Sequence, residues 1–196
     1  MTPRILVFAG SIRSGAYSGK TADAAQRELA LAGAEVTRIS LADYPLPIMD
    51  EDLERERGVP ENAVKLARLF AAHDGILIAT PEYNGSMPPL VKNTIDWISR
   101  VKSDGGKPLR PLPGRLVAIC SSSDGHFAGI RSAAHLRAVL SHIQMEVISP
   151  QCSIPYGKEA FDEDGNFREE RHAKSMKRVC DSLIGMARTL SRRAEG

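Results

Sequence analysis

The chain has 196 residues, and its 26 basic against 24 acidic side chains leave a formal charge of +2. That length suits one domain, 1–196, burying roughly 70% of the surface its unfolded chain exposes. So even a balance predicts no nucleic acid and no membrane among its partners, and no apolar run approaches the ~20 residues a bilayer requires. Cys120, Cys152 and Cys180 are odd in number and widely spaced, without a C-x-x-C pair or a metal-ligand spacing. With no signal-peptide core at the amino terminus, the expectation is a reduced, cytoplasmic protein.

In chain order, Ile5-Leu6-Val7-Phe8-Ala9 is a continuous apolar run ending in Gly10, the pattern of a strand buried on both faces. Thr21 to Ala32 predicts an alanine-rich helix closed by Gly33. Glu35 to Ile39 alternates, as a less buried strand does. Leu41 to Pro60 holds three prolines and a charged run, Asp50 to Arg57, expected as a solvated loop or short helix. Glu61 to Ala72 carries a helical stripe, and Gly75 to Thr80 is the next buried strand. Pro88 and Pro89 suit the opening of a helix over Leu90 to Val101, since a first helical turn has spare N–H groups. A Gly/Pro-rich connection, Ser103 to Gly114, leads into strand Arg115 to Cys120. Ile130 to Ile143 predicts helix, Met145 to Ile148 a short strand, and Arg168 to Leu190 a long closing helix.

Strands and helices alternate throughout, which gives an α/β fold with helices on both faces of a parallel sheet. Five strands joined by right-handed crossovers match the doubly wound, flavodoxin-like order 2-1-3-4-5. Ligands of such sheets bind on the loops at the carboxyl edge, around the switch point, here after strands 1, 3 and 4.

The first of these loops, Gly10-Ser11-Ile12-Arg13-Ser14-Gly15-Ala16-Tyr17-Ser18-Gly19-Lys20, joins a buried strand to a helix N-terminus. Free amides, three serine hydroxyls and the forked donor Arg13 favour a phosphate there. The dinucleotide fingerprint G-x-G-x-x-G is absent. The Gly19-Lys20-Thr21 end of a P-loop lacks its first glycine, Ser14 standing in that place. In the second loop, Thr80 to Pro89, Asn84-Gly85 permits positive φ, and Tyr83 offers an aromatic face beside amides that can turn toward a planar ring. The third, Ser121-Ser122-Ser123-Asp124-Gly125-His126-Phe127-Ala128-Gly129, opens with small hydroxyl residues that let a ring approach the backbone.

Gly10-Ser11-Ile12-Arg13 with Ser18, then Pro81-Glu82-Tyr83-Asn84-Gly85-Ser86, then Leu90-Val91-Lys92-Asn93-Thr94-Ile95-Asp96-Trp97, resembles the NAD(P)H-dependent FMN reductase family over roughly residues 4 to 184. The resemblance implies FMN as cofactor. Its phosphate would lie on Ser11, Arg13, Ser18 and the amides of Tyr17, Gly19 and Lys20. Pro81, Glu82, Tyr83, Asn84 and Gly85 would lie along the isoalloxazine ring, with Ser121, Ser122, Ser123 and Gly125 closing from the other side. It also implies NADPH or NADH as co-substrate and a small-molecule acceptor: a quinone, an azo compound, a chromate-like oxyanion or free flavin. No side chain is expected to be catalytic, because hydride chemistry belongs to flavin N5. The chain departs from the family at Ala16 and Ser18, where Ser and Asn are frequent, and in the polar Asp124 and His126. The rival reading is a non-catalytic electron carrier of the flavodoxin kind, usually strongly acidic and without the loop arginine.

Other residues have plainer expectations. His135 and His142, seven apart on one helix, are expected to be partly buried rather than ligands, and no metal site is expected. Cys120 is expected to be packing. On the helix from Leu90, a stripe of Leu90, Thr94, Trp97 and Val101 adjoins the inward one, predicting a Trp-centred patch. The family resemblance implies pairing through this helix, as a homodimer or a dimer of dimers.

Overall fold

The computed structural model describes residues 2–194, with side chains through Leu190. In chain order the elements are β1 (Arg4–Ala9), α1 (Tyr17–Leu31), β2 (Glu35–Ile39), a short 3-10 turn (Leu41–Asp43), α2 (Glu51–Arg57), α3 (Glu61–Ala72), β3 (Gly75–Pro81), α4 (Pro89–Arg100), the two strands β4 (Ser103–Asp104) and β5 (Lys107–Pro108), β6 (Leu116–Ser122), α5 (Ile130–His142), β7 (Glu146–Ile154) and α6 (Glu170–Ala194). The main sheet runs β2-β1-β3-β6-β7, every neighbouring pair parallel. With the small β4–β5 hairpin set aside, this is the expected order 2-1-3-4-5.

The apolar runs explain the layers. Side chains alternate across a strand, so a run apolar at every position feeds two cores at once. Ile5, Val7, Leu77, Ala79, Ala118 and Cys120 pack with α1 and α6, through residues such as Leu29, Val179 and Leu183. Leu6, Phe8, Ile76, Ile78, Val117 and Ile119 pack on the other face with α3, α4 and α5, through Leu66, Phe70, Ile98 and Leu136. Ile5 to Phe8 have no exposed surface at all.

Several elements differ from their sequence expectation for identifiable reasons. Helix α1 starts at Tyr17 rather than Thr21, because Tyr17 is packed from behind by Gly157 and its turn need not rely on local propensity. The charged run forms the short helix α2, capped by Asp50, whose carboxylate accepts from the Asp52 amide at 2.8 Å. The glycine-rich connection turns back as β4–β5 through Gly105 and Gly106, at φ +54° and +77°. Strand β7 continues to Ile154 past Pro150, where a proline would be expected to end it. It lies at the sheet's edge, and a register shift between Val117 and Ile119 accommodates the missing N–H.

The Trp-centred patch on α4 is overturned. Trp97 has no exposed surface, and Thr94 and Val101 are 2% and 4% exposed within the single chain. The segment after the 3-10 turn folds over Trp97, and Val101 lies with Leu109 and Leu112 of the connection before β6. Trp97 Nε1 and Asn93 Nδ2 both donate to the Pro47 carbonyl at 2.8 Å, and Asn93 Oδ1 accepts from the Met49 amide. The second stripe of α4 is spent on the chain's own core. No helix among the described residues is long and apolar enough to cross a membrane.

Candidate functional site

Parallel strands deliver their following loops to one edge, and those after β1, β3 and β6 meet there. Gly10 makes the meeting possible. A Cβ at this residue would stand 2.7 Å from Val91 Cγ2 and 3.1 Å from Pro81 Cδ, so only a residue without a side chain lets the two loops turn this close. Between the loops lies a cleft of about 190 Å³. Ser11, Arg13, Ala16, Tyr17 and Ser18 line it from the first loop, Pro81, Glu82 and Tyr83 from the second, and Ser122, Ser123 and Asp124 from the third.

The first loop is built for an anion. Ala16 caps α1 with no side-chain bond, so the first-turn amides are left for a ligand. Ser18 Oγ is fully buried on the cleft without a hydrogen-bond partner, and so, from the third loop, is Ser122 Oγ. An unsatisfied buried hydroxyl costs about 1–3 kcal/mol, and two on one cleft mark a place shaped for a polar ligand. Arg13 is exposed; its guanidinium donates to the Ser14 carbonyl at 3.2 Å and lies 5.9 Å from the Tyr17 ring. It has no carboxylate partner among the described residues, so its charge is free for a ligand.

The second loop is a tight turn. Tyr83 and Ser86 exchange backbone bonds of 2.9 and 3.0 Å, and Asn84 and Gly85 between them take φ of +50° and +78°. The Tyr83 hydroxyl meets Ser11 Oγ at 3.2 Å and ties the two loops together. The Glu82 carboxylate is engaged: it accepts from Arg131 Nε at 2.9 Å and from the Arg131 amide at 3.2 Å, with 10% of its side chain exposed. It fastens the second loop to the start of α5, where the helix dipole favours it.

The third loop divides its serines. Ser121 Oγ is spent inside, donating to the Ala128 carbonyl at 2.8 Å and accepting from the Ser153 hydroxyl at 2.9 Å. Ser122 and Ser123 reach the cleft, as Asp124 does. Of the residues singled out from sequence, Ser11, Arg13, Tyr17, Ser18, Pro81, Glu82, Tyr83, Ser122 and Ser123 come together on the cleft. Gly19, Lys20, Asn84, Gly85, Ser121 and Gly125 belong to the same loops without lining it. His135 and His142 are exposed rather than partly buried, since α5 turns Ser132, Ala133, Leu136 and Leu140 inward. His135 Nδ1 pairs with Ser86 Oγ at 3.0 Å.

A fourth loop, after β7, escaped the sequence reading. Gly157 donates to the Ser123 carbonyl at 2.9 Å and lies against the Tyr17 ring; a Cβ there would stand 2.7 Å from Tyr17 Cδ2. The Pro155-Tyr156-Gly157 turn signal was available, but a strand ending at Ile148 put it nowhere near the edge. Gly157→Ala is expected to cost about 1–3 kcal/mol by overpacking, measured by urea unfolding.

Strain gathers at this edge. Among the described residues, the non-glycines at positive φ are Asn84, Ala128, Gln144 and Tyr156, and all but Gln144 sit in the cleft-side loops. Each left-handed residue costs about 1–2 kcal/mol, which is found where function holds it. The cysteines offer no nucleophile. All are buried; the bond to Cys152 and burial hold the Cys120 thiol well above its ordinary pKa, burial does the same to Cys180, and Cys152, whose thiol the bond to Cys120 holds below its ordinary pKa, has no exposed surface from which to attack.

Residues 3–159 match the model of a family described as NADPH-dependent FMN reductase. A quinone reductase of Escherichia coli K12 is 37% identical over 147 residues, 74% of this chain and 73% of its own length. An NAD(P)H-dependent FMN reductase of Pseudomonas aeruginosa is 31% identical over 182 residues, 92% of each chain. Among solved structures, FerB of Paracoccus denitrificans, a flavoenzyme NAD(P)H:(acceptor) oxidoreductase, superposes with a TM-score of 0.79 at 26% identity, covering 96% of this chain and 98% of its own.

Proposed function

The chain belongs to the NADPH-dependent FMN reductase family, and from that premise we propose that it passes two electrons from a nicotinamide to a small acceptor by a ping-pong route. The observation that carries the reading is the pair of orphaned buried hydroxyls, Ser18 and Ser122, facing one cleft from two loops beside the uncommitted Arg13. These residues fit FMN: one anion cradle for one phosphate, and small hydroxyl residues and backbone where a ring must come close. Ser11, Arg13, Ser18 and the amides of Tyr17 and Gly19 would hold the phosphate; the Lys20 amide, expected beside them, is spent on the Ala16 carbonyl at 3.1 Å. The second loop from Pro81 to Gly85, with Ser122, Ser123 and Gly125, would hold the ring, and Ser121, buried and engaged with Ala128 and Ser153, stands behind them.

The cofactor's chemistry is hydride acceptance at N5 from NADPH or NADH, followed by electron delivery to the acceptor. The chain's own residues anchor and exclude. Tyr83 and Ser11 close the join between the first two loops, and the Glu82–Arg131 pair keeps the second loop from swinging off the cleft. Quinones lead the acceptor classes, ahead of azo compounds, chromate-like oxyanions and free flavin, because the similar curated proteins include quinone reductases. A cytoplasmic location belongs to the same reading on the free, buried cysteines, and a homodimer or dimer of dimers on family resemblance alone, now that the Trp97 stripe no longer supports pairing.

One cleft must serve nicotinamide and acceptor in turn. Initial rates at several NADPH and quinone concentrations should therefore give parallel double-reciprocal lines, and the flavin released by heat should be FMN by mass. Intersecting lines would replace the ping-pong route with a ternary complex, and stoichiometric FAD would overturn the cofactor.

A further inference from the structure

Of the nine exposed large apolar side chains among the described residues, five stand on the loops of the carboxyl edge or at the start of α5: Ile12, Tyr83, Phe127, Ile130 and Tyr156. Exposed apolar residues scattered singly need no explanation, whereas a cluster beside a cleft does. Part of this cluster is ordered. His126 packs against Phe127 at 5.6 Å between ring centroids, inclined at 70°, and against Tyr156 at 6.2 Å and 52°. His126 Nδ1 and the Tyr156 hydroxyl are 3.2 Å apart, a bond that joins the loop after β6 to the loop after β7.

The array is fastened to the cleft at both ends. Arg131 lies over the Phe127 ring at 4.9 Å while gripping Glu82, a lining residue. Gly157, next to Tyr156, abuts the lining Tyr17 ring and bonds to Ser123. Ala128 and Tyr156, which flank the array in sequence or belong to it, both hold left-handed backbone at φ +55° and +48°. Yet Phe127 is 60% and Tyr156 47% exposed. Strained backbone that presents rings to solvent beside a binding cleft is the pattern of a recognition surface, not of a core.

We propose that His126, Phe127 and Tyr156 form the acceptor's recognition platform, and that the acceptor class it selects is a planar aromatic bearing carbonyl oxygen. Rings supply stacking and edge contacts to a flat aromatic. When the Tyr156 hydroxyl donates to Nδ1, the histidine carries its proton on Nε2, a donor for the carbonyl. A small oxyanion gains nothing from the rings. The proposal rests on the flavin-reductase reading and specifies its acceptor subsite.

The test needs no turnover. Oxidised holoprotein, without nicotinamide, is titrated with 1,4-naphthoquinone by calorimetry and by perturbation of the flavin absorbance. His126→Ala combined with Tyr156→Ala should raise the Kd on the order of tenfold, with one FMN still bound per chain. Tyr156→Phe, which keeps the ring and loses the hydroxyl, should raise it less. An unchanged Kd in the double variant overturns the proposal, as does a raised Kd accompanied by lost FMN. A wild-type protein that retains no FMN would fail the flavin reading itself, and the platform with it.

Discussion

Trp97→Ala should destabilise the fold by about 3–5 kcal/mol, the range for truncating a large buried aromatic. Trp97 fills the core between α4 and the chain around Pro47, and its indole N–H bonds to the Pro47 carbonyl at 2.8 Å. Removing the ring leaves a cavity and takes one of two donors from the Pro47 carbonyl, so the covering segment loses one of its ties to α4; the Asn93 bonds to Pro47 and Met49 remain. The urea midpoint should fall while the sedimentation coefficient of the folded protein stays that of the wild type. A loss below about 1 kcal/mol together with a change of oligomeric state would mean the tryptophan faces a partner after all. Trp97→Glu is the harsher version, since it places a carboxylate in an apolar core.

Arg13→Ala should weaken FMN binding by roughly tenfold to a hundredfold, the equivalent of a charge-assisted contact of about 1.5–3 kcal/mol. The geometry makes the measurement clean. Arg13 is exposed and holds no carboxylate, so its loss should move the apoprotein's stability by no more than about 0.5 kcal/mol. Arg13→Lys should fall between, keeping the charge without the fork. Flavin fluorescence titration reads all three proteins. Unchanged affinity in the alanine variant would reduce Arg13 to a surface residue.

What could be read in the sequence was what is local or periodic. The unbroken apolar runs in β1, β3 and β6 announced strands buried on both faces, and alternation with helices gave the sheet order through the handedness of crossovers. The first loop was legible because hydroxyls, glycines and an arginine after a strand have few other uses. Long-range pairings were not legible. Pro47 covers Trp97 from 50 positions away, and Arg131 takes the Glu82 carboxylate from 49. A helix's second apolar stripe says that something covers it, and nothing in the stripe distinguishes a partner from a loop of the same chain. Strand β7 was cut short at Pro150 because the register shift that admits a proline depends on the neighbouring strand. With that end lost, Tyr156 and Gly157 were lost from the site.

The three cysteines, expected as reduced and Cys120 as packing, lie wholly within the core that α1 and α6 share with the sheet, and Cys120 and Cys152 are cross-strand neighbours. None can be reached by a reagent while the core is closed, and the thiols with raised pKa carry almost no thiolate to attack it. Their alkylation therefore runs at the rate of whole-core opening, making the chain its own clock for unfolding. Because none of them lines the cleft, the same clock read with and without FMN would report how far the cofactor holds the core shut.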